Sequence, residues 1–175
     1  MDKNKINLLF VGRLDKQKGL DIFLDVYNKY EFKNMHLYVI GTSVLDNTIP
    51  KNTDKITYLG WVDSKEIDVY YQKCDVVIMP SRWEGFGLVA IEAMRNSKPI
   101  IVSNRGALPE IIEDNITGYI FDMDNLVSLK NILMKLDKVI LYELGKNARK
   151  CYLEKFVDEI MIKNIYLLYK NILME

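Results

Sequence analysis

The residues able to do chemistry in this sequence concentrate in two short segments. One is Gly12-Arg13-Leu14-Asp15-Lys16-Gln17-Lys18-Gly19. Its glycines let the backbone turn tightly and come close to a ligand, and Arg13 and Lys18 bring two fixed positive charges suited to a diphosphate. It has neither the Gly-Lys-Ser/Thr of a Walker loop nor the glycine spacing of a dinucleotide fingerprint. Taken alone, it reads first as an ordinary strand-to-helix turn with solvated charges. The other segment is Ser81-Arg82-Trp83-Glu84-Gly85-Phe86-Gly87-Leu88-Val89-Ala90-Ile91-Glu92-Ala93-Met94, with seven residues between its glutamates. Eight residues at helical rise span on the order of 12 Å. A glycosidase acid and base must face one bond across roughly 5 to 9 Å, so Glu84 and Glu92 do not read as that pair. Their span suits a sugar, two phosphates and a ribose. Carboxylates accept from hydroxyls, and the free N–H groups at a helix start favour phosphate. Gly85 and Gly87 leave room for a ligand against the main chain. An amphipathic helix with two surface glutamates explains Val89, Ile91 and Met94 but not Glu84-Gly-Phe-Gly.

Elsewhere the sequence is poor in reactive groups. His36 is the single histidine and begins an apolar run, which favours a structural or surface role. Cys74 and Cys151 show no metal-ligand or redox spacing and read as reduced thiols of a cytosolic protein.

The elements that must position the two segments alternate along the chain. Continuous apolar runs at Ile6 to Val11, Leu37 to Ile40, Ile56 to Leu59, Asp75 to Met79, Pro99 to Val102 and Gly118 to Phe121 read as buried strands. Helices are expected over Leu20 to Tyr30, Ser64 to Lys73, about Phe86 to Asn96, Leu108 to Ile112, Asn125 to Leu136, Val139 to Phe156 and Val157 to Leu173. This alternation predicts one α/β domain: a Rossmann-like, doubly wound, mostly parallel sheet of about six strands, with helices on both faces and a helical C-terminus. In such sheets ligands bind beyond the carboxyl ends of the strands, which points to the loops after Val11, Gly60, Met79 and Val102.

Glu84-Gly-Phe-Gly-Leu-x-x-x-Glu92, preceded by Asp75-Val-Val-Ile-Met-Pro-Ser81, resembles the E-x7-E motif of the family 4 (group 1) retaining glycosyltransferases of GT-B fold. Gly12-Arg13…Lys18-Gly19 and Gly106-Ala-Leu-Pro-Glu110, followed by Asn115-x-x-Gly118, match that family's pattern in order, so the resemblance covers nearly the whole chain. It implies the C-terminal, donor-binding domain of such an enzyme. Arg13, Lys18 and Glu84 would be its catalytic groups: the two cations neutralise the donor diphosphate in place of a metal ion, and Glu84 holds sugar hydroxyls. Gly12, Gly85, Phe86, Gly87, Leu88 and Val89 would line the donor, Glu92 would hold the ribose, and Val62, in Gly60-Trp61-Val62, would sit at the base. Pro109 and Glu110 would belong to a supporting loop. The implied reaction is transfer with retention, the acceptor attacking the face that the nucleoside diphosphate leaves.

The resemblance also implies an N-terminal acceptor domain outside this chain, so that the polypeptide alone binds the donor but transfers poorly. The expected donor is a UDP-hexose or UDP-N-acetylhexosamine, the acceptor a lipid-linked or surface-polysaccharide saccharide of a bacterium. The alternative is a non-catalytic nucleotide-sugar-binding or assembly subunit. Acidic and basic residues balance at 24 each and the pI is near 6.6, which leaves no basic footprint for nucleic acid. No apolar run approaches the roughly 18 residues of a membrane span, and the polar first five residues do not open a signal peptide. A cytoplasmic protein is expected, with peripheral association at the inner face of the membrane as an option. Ile160 to Leu173 could lie on a membrane surface, although core or interdomain packing is the commoner use of such a helix.

Asp122-Met123-Asp124 spells the D-x-D of metal-dependent glycosyltransferases of the other major fold. Its place just before a helix favours Asp124 as an N-cap instead. No cofactor and no metal are therefore expected, only the nucleoside-diphosphate sugar as substrate. Donor binding should proceed without divalent cations; a strict Mn²⁺ requirement abolished by Asp122→Ala is the result against it.

Overall fold

Runs of apolar residues become strands here because both of their faces are covered. In the computed structural model, which describes residues 1–43 and 49–174, Leu8 and Leu9 are both fully buried although they point to opposite sides of β1 (Ile6–Val11). Leu8 packs with Phe23, Tyr27 and Leu133 on one face. Leu9 packs with Tyr71, Ala90, Met94 and Ala148 on the other.

The elements follow as β1, α1 (Leu20–Lys29), β2 (Met35–Ile40), β3 (Ile56–Gly60), α2 (Ile67–Lys73), β4 (Val76–Met79), α3 (Leu88–Arg95), β5 (Ile100–Ser103), α4 (Leu108–Ile111), β6 (Gly118–Phe121), α5 (Val127–Met134), α6 (Lys138–Lys155) and α7 (Asp158–Leu173). The strands form a six-stranded sheet in the order β3-β2-β1-β4-β5-β6, and every pairing is parallel. Leu8 lies opposite Leu37 on one neighbour and Val76 on the other. Helices α1 and α5 cover the first face and α2, α3 and α4 the second, while α6 reaches both, with Leu141 and Leu144 on the first and Ala148 and Cys151 on the second. The expected class, doubly wound with a helical C-terminus, is the class observed.

The differences lie at element ends and in the last helix. The helix expected from Ser64 begins at Ile67, because Asp63 organises a turn first: its carbonyl accepts from the N–H of Glu66 and Ile67 and its carboxylate from Lys65. Asp124 is not an N-cap. Helix α5 starts at Val127, and the carboxylate of Asp124 is drawn instead to the guanidinium of Arg105. The side chain that accepts from the first helical N–H is that of Asn125, at 3.2 Å. His36 falls inside β2, where its Nε2 shares a hydrogen bond of 2.8 Å with the Thr57 hydroxyl. Both cysteines are free and buried, and burial pushes the Cys74 thiol up to about 12. Helix α7 has no buried residue, so core packing within this chain is not its role. Among the described residues no helix is long and apolar enough to cross a membrane.

Leu8, at the centre of the sheet, tests this two-faced burial. Leu8→Ala should cost about 2–5 kcal/mol, read as a lower midpoint in urea denaturation followed by circular dichroism.

Candidate functional site

The sheet reverses its strand order between β1 and β4. From β1 the chain runs through α1 to one side, from β4 through α3 to the other, so the two strands release their loops in opposite directions over a crevice. Those loops carry the two segments singled out above.

Main-chain contact ties the loops together before any side chain does. Gly19 precedes α1 in a left-handed conformation, and a Cβ built there would lie 1.9 Å from the Pro80 carbonyl oxygen. The N–H of Arg82 donates to the Gln17 carbonyl at 2.8 Å. The Arg82 guanidinium reaches back to Asp21 at the start of α1, with bonds of 2.8 and 2.7 Å to its two carboxylate oxygens. That hydrogen bonding, with the guanidinium charge, holds the Asp21 carboxyl below its ordinary range.

Lys18 and Glu84 then meet across the crevice. Lys18 Nζ donates to Glu84 Oε2 at 2.7 Å, and their side chains are 18% and 12% exposed, so this ion pair is largely withdrawn from water. The buried Ser81 hydroxyl approaches the same oxygen at 3.5 Å. The main chain of Glu84 is held by the loop after β5. The N–H of Ala107 donates to its carbonyl at 3.0 Å. Gly106, with φ near +60°, packs so closely that a Cβ would fall 2.2 Å from that oxygen.

Glu92 projects from α3 and is held from α2. The hydroxyl of the fully buried Tyr71 donates to Glu92 Oε2 at 2.8 Å. Burial first, and then the neighbouring carboxylate, push the Tyr71 phenol well above its ordinary value. Glu92 also lines a groove of about 590 Å³ between α3 and α7, with Phe86, Leu88, Phe156 and Ile165 among its walls. That volume is within the range of small-ligand sites.

The remaining candidates are dispersed around this centre. Arg13 is more than half exposed, and its guanidinium rests on Asp15 at 3.2 Å and on the Gln17 side chain at 3.1 Å, not on Glu84. Gly12 opens the loop that carries it. Gly85, Phe86 and Leu88 are exposed, Gly87 is buried immediately before α3, and Val89 is half-buried within it. Val62 packs against the second face of the sheet beside the exposed Trp61. Because only residues from Leu88 onward are helical, the helical-rise estimate applies to about half of the stretch from Glu84 to Glu92. Ser81, Arg82 and Gly106 lie within the segments singled out from the sequence but carry no individual role there, and Tyr71 lies outside them. No motif surrounds Tyr71 in its helix, and the Arg82–Asp21 pairing links positions far apart in sequence and leaves no local sign.

The family model described as glycosyl transferases group 1 matches residues 1–150. An uncharacterized 41.2 kDa protein in the cps region of Klebsiella pneumoniae is 37% identical over 98% of this chain and 48% of its own length. The crystal structure of the C-terminal domain of the group 1 glycosyl transferase LpcC from Francisella tularensis superposes with a TM-score of 0.73 at 26% identity, covering 87% of this chain and 86% of that domain. Anabaena HepE, solved in complex with UDP, gives a TM-score of 0.82 at 20% identity over 96% of this chain and 49% of its own. The chain thus spans about half the length of the curated relatives it matches.

The support given to Glu84 can be measured. Gly106→Ala should destabilise the chain by at least about 1–2 kcal/mol for its left-handed backbone alone. Gly85→Ala should shift the urea midpoint little, because a Cβ there meets nothing nearer than the Trp83 ring at 3.6 Å.

Proposed function

This chain belongs to the group 1 glycosyl transferases, and from that premise we propose that it is the donor-binding half of a retaining enzyme, holding a nucleoside-diphosphate sugar over the crevice between β1 and β4. The observation that carries this reading is the water-poor pair of Lys18 and Glu84 at 2.7 Å, where loops from both sides of the crevice converge.

The two side chains divide the work. Breaking the bond from the anomeric carbon to the diphosphate puts negative charge on the departing phosphate oxygen. A cation already fixed beside that oxygen, in a site with little water, stabilises the charge without having to reorganise. Lys18 is fixed by Glu84, and Arg13 joins it on exchanging Asp15 and Gln17 for phosphate oxygens. The Glu84 carboxylate accepts from sugar hydroxyls, and the glycine-rich stretch through Gly85, Phe86, Gly87 and Leu88 lets sugar and phosphate approach the main chain, with Gly12 and Val89 completing the wall. Glu92 accepts from the ribose, and Val62 flanks the base. The acceptor oxygen attacks the anomeric carbon from the face the diphosphate leaves, its proton passing to the departing phosphate oxygen.

Two cations in these loops make a metal ion unnecessary. The carboxylates of the D-x-D sequence are otherwise engaged: Asp122 accepts from Asn104 Nδ2 at 3.0 Å, and Asp124 pairs with Arg105. UDP in the HepE complex supports a UDP-sugar donor, and we assign the acceptor to a lipid-linked or surface-polysaccharide saccharide met at the inner face of the cytoplasmic membrane. Because the chain spans about half the length of its relatives, the acceptor is assigned to another domain and this half alone should not transfer.

Calorimetric titration of the chain with UDP, GDP and ADP in the absence of metal tests the reading. One nucleotide should bind selectively, and Lys18→Ala should weaken it by about 10- to 100-fold, the worth of a charge-assisted hydrogen bond. Glu84→Ala should impair the sugar nucleotide more than the free nucleotide. Binding of none of them would overturn the assignment, and robust transfer by the chain alone would overturn the division of labour.

A further inference from the structure

We propose that Tyr71 is a positioning residue for nucleotide recognition, its hydroxyl orienting the Glu92 carboxylate so that this side chain discriminates a ribose from a sugar lacking its hydroxyls. The inference rests on the reading of Glu92 as the ribose acceptor. It concerns a residue on a different element, α2, which lies outside every motif of the site.

A glutamate on a helix is a poor discriminator unless something holds it, because its three side-chain torsions spread the carboxylate over many positions. Here Tyr71 supplies the hold. Its ring is fully buried in the layer beneath α3, packed with Ala90, Ala93 and Met94, so the hydroxyl is presented from a rigid base. The bond to Glu92 Oε2 is 2.8 Å long, and among the described residues it is the one side-chain hydrogen bond that this carboxylate receives. The direction of donation is set, since an ionised carboxylate can only accept. Burial keeps the phenol protonated at any pH of interest, so the proton to be shared is always present. A carboxylate offers about four acceptor positions over its two oxygens, and one donor leaves ample capacity for ribose hydroxyls on the side of the groove that Glu92 lines. A tyrosine needed only to fill the layer would require a partner of some kind; the partner it has is the single carboxylate of α3, at the wall of a groove open to a ligand.

The test compares UDP with 2′,3′-dideoxy-UDP as calorimetric ligands of the 175-residue chain. The native chain should prefer UDP by roughly tenfold or more, and both Glu92→Leu and Tyr71→Phe should erase most of that preference while each variant still binds the dideoxy nucleotide. Retained dideoxy binding shows that each variant folds. Tyr71→p-aminophenylalanine, which keeps a donor N–H at the same place, should restore the preference and serves equally if the phenylalanine variant proves too unstable to titrate. Loss of preference in Glu92→Leu but not in Tyr71→Phe would overturn the role of Tyr71 and leave the ribose reading intact. A preference that survives Glu92→Leu, or absence of binding by UDP, GDP and ADP alike, would overturn the ribose reading and this inference with it.

Discussion

Where β1 and β4 lie side by side, their outgoing loops must share one small space while their helices depart to opposite faces of the sheet. The chain meets this constraint with main chain against main chain. The position before α1 is in van der Waals contact with the carbonyl after β4, and nothing larger than a hydrogen fits between them at Gly19. Once that contact is made, the rest of the centre follows from it. Lys18 is adjacent to Gly19 and Glu84 is four residues beyond Pro80, so the two charged ends can meet only because the backbones have already met.

The electrostatics of the centre are graded from outside inward. Arg82 and Asp21 form a two-point pair at the rim, with side chains 39% and 53% exposed. Such exposed pairs contribute little stability, commonly less than about 1 kcal/mol, so the pair serves geometry more than energy. Lys18 and Glu84 sit deeper, where desolvation is costly and separation of the two charges would be costlier still. On the proposed reading, a diphosphate entering there takes Lys18 as partner while sugar hydroxyls take Glu84. Under that reading the crevice exchanges one set of charge-assisted contacts for another.

Support for both glutamates comes from elements other than the ones that carry them. Glu84 is buttressed from the loop after β5, through Gly106 and Ala107, and Glu92 from α2, through Tyr71. Each is a short polar contact backed by a packed layer. Such backing keeps a first contact shell in place without placing more charge at the site.

The sequence by itself determined the class, the strand count and the place to look. Six apolar runs alternating with helical periods admit little but a doubly wound parallel sheet, and the rule that ligands gather at the carboxyl ends of strands then selects the loops holding Lys18 and Glu84. The spacing around Glu84 and Glu92, set against the order of the other motifs, identified the family. What the tertiary structure decided is which of these groups meet. Lys18 found Glu84 and Arg13 did not, because the loop between them folds Arg13 onto its own Asp15 and Gln17. Asp124 lies three residues ahead of Val127, the first helical residue of α5, too early to cap it, and its carboxylate pairs with Arg105 instead. Tyr71 and Gly106 acquired their roles from residues 21 and 22 positions away, Glu92 and Glu84. Periodicity reports which face of an element is apolar; it carries no information about which polar atom on another element that face will meet. That pairing is set by how the helices stack on the sheet.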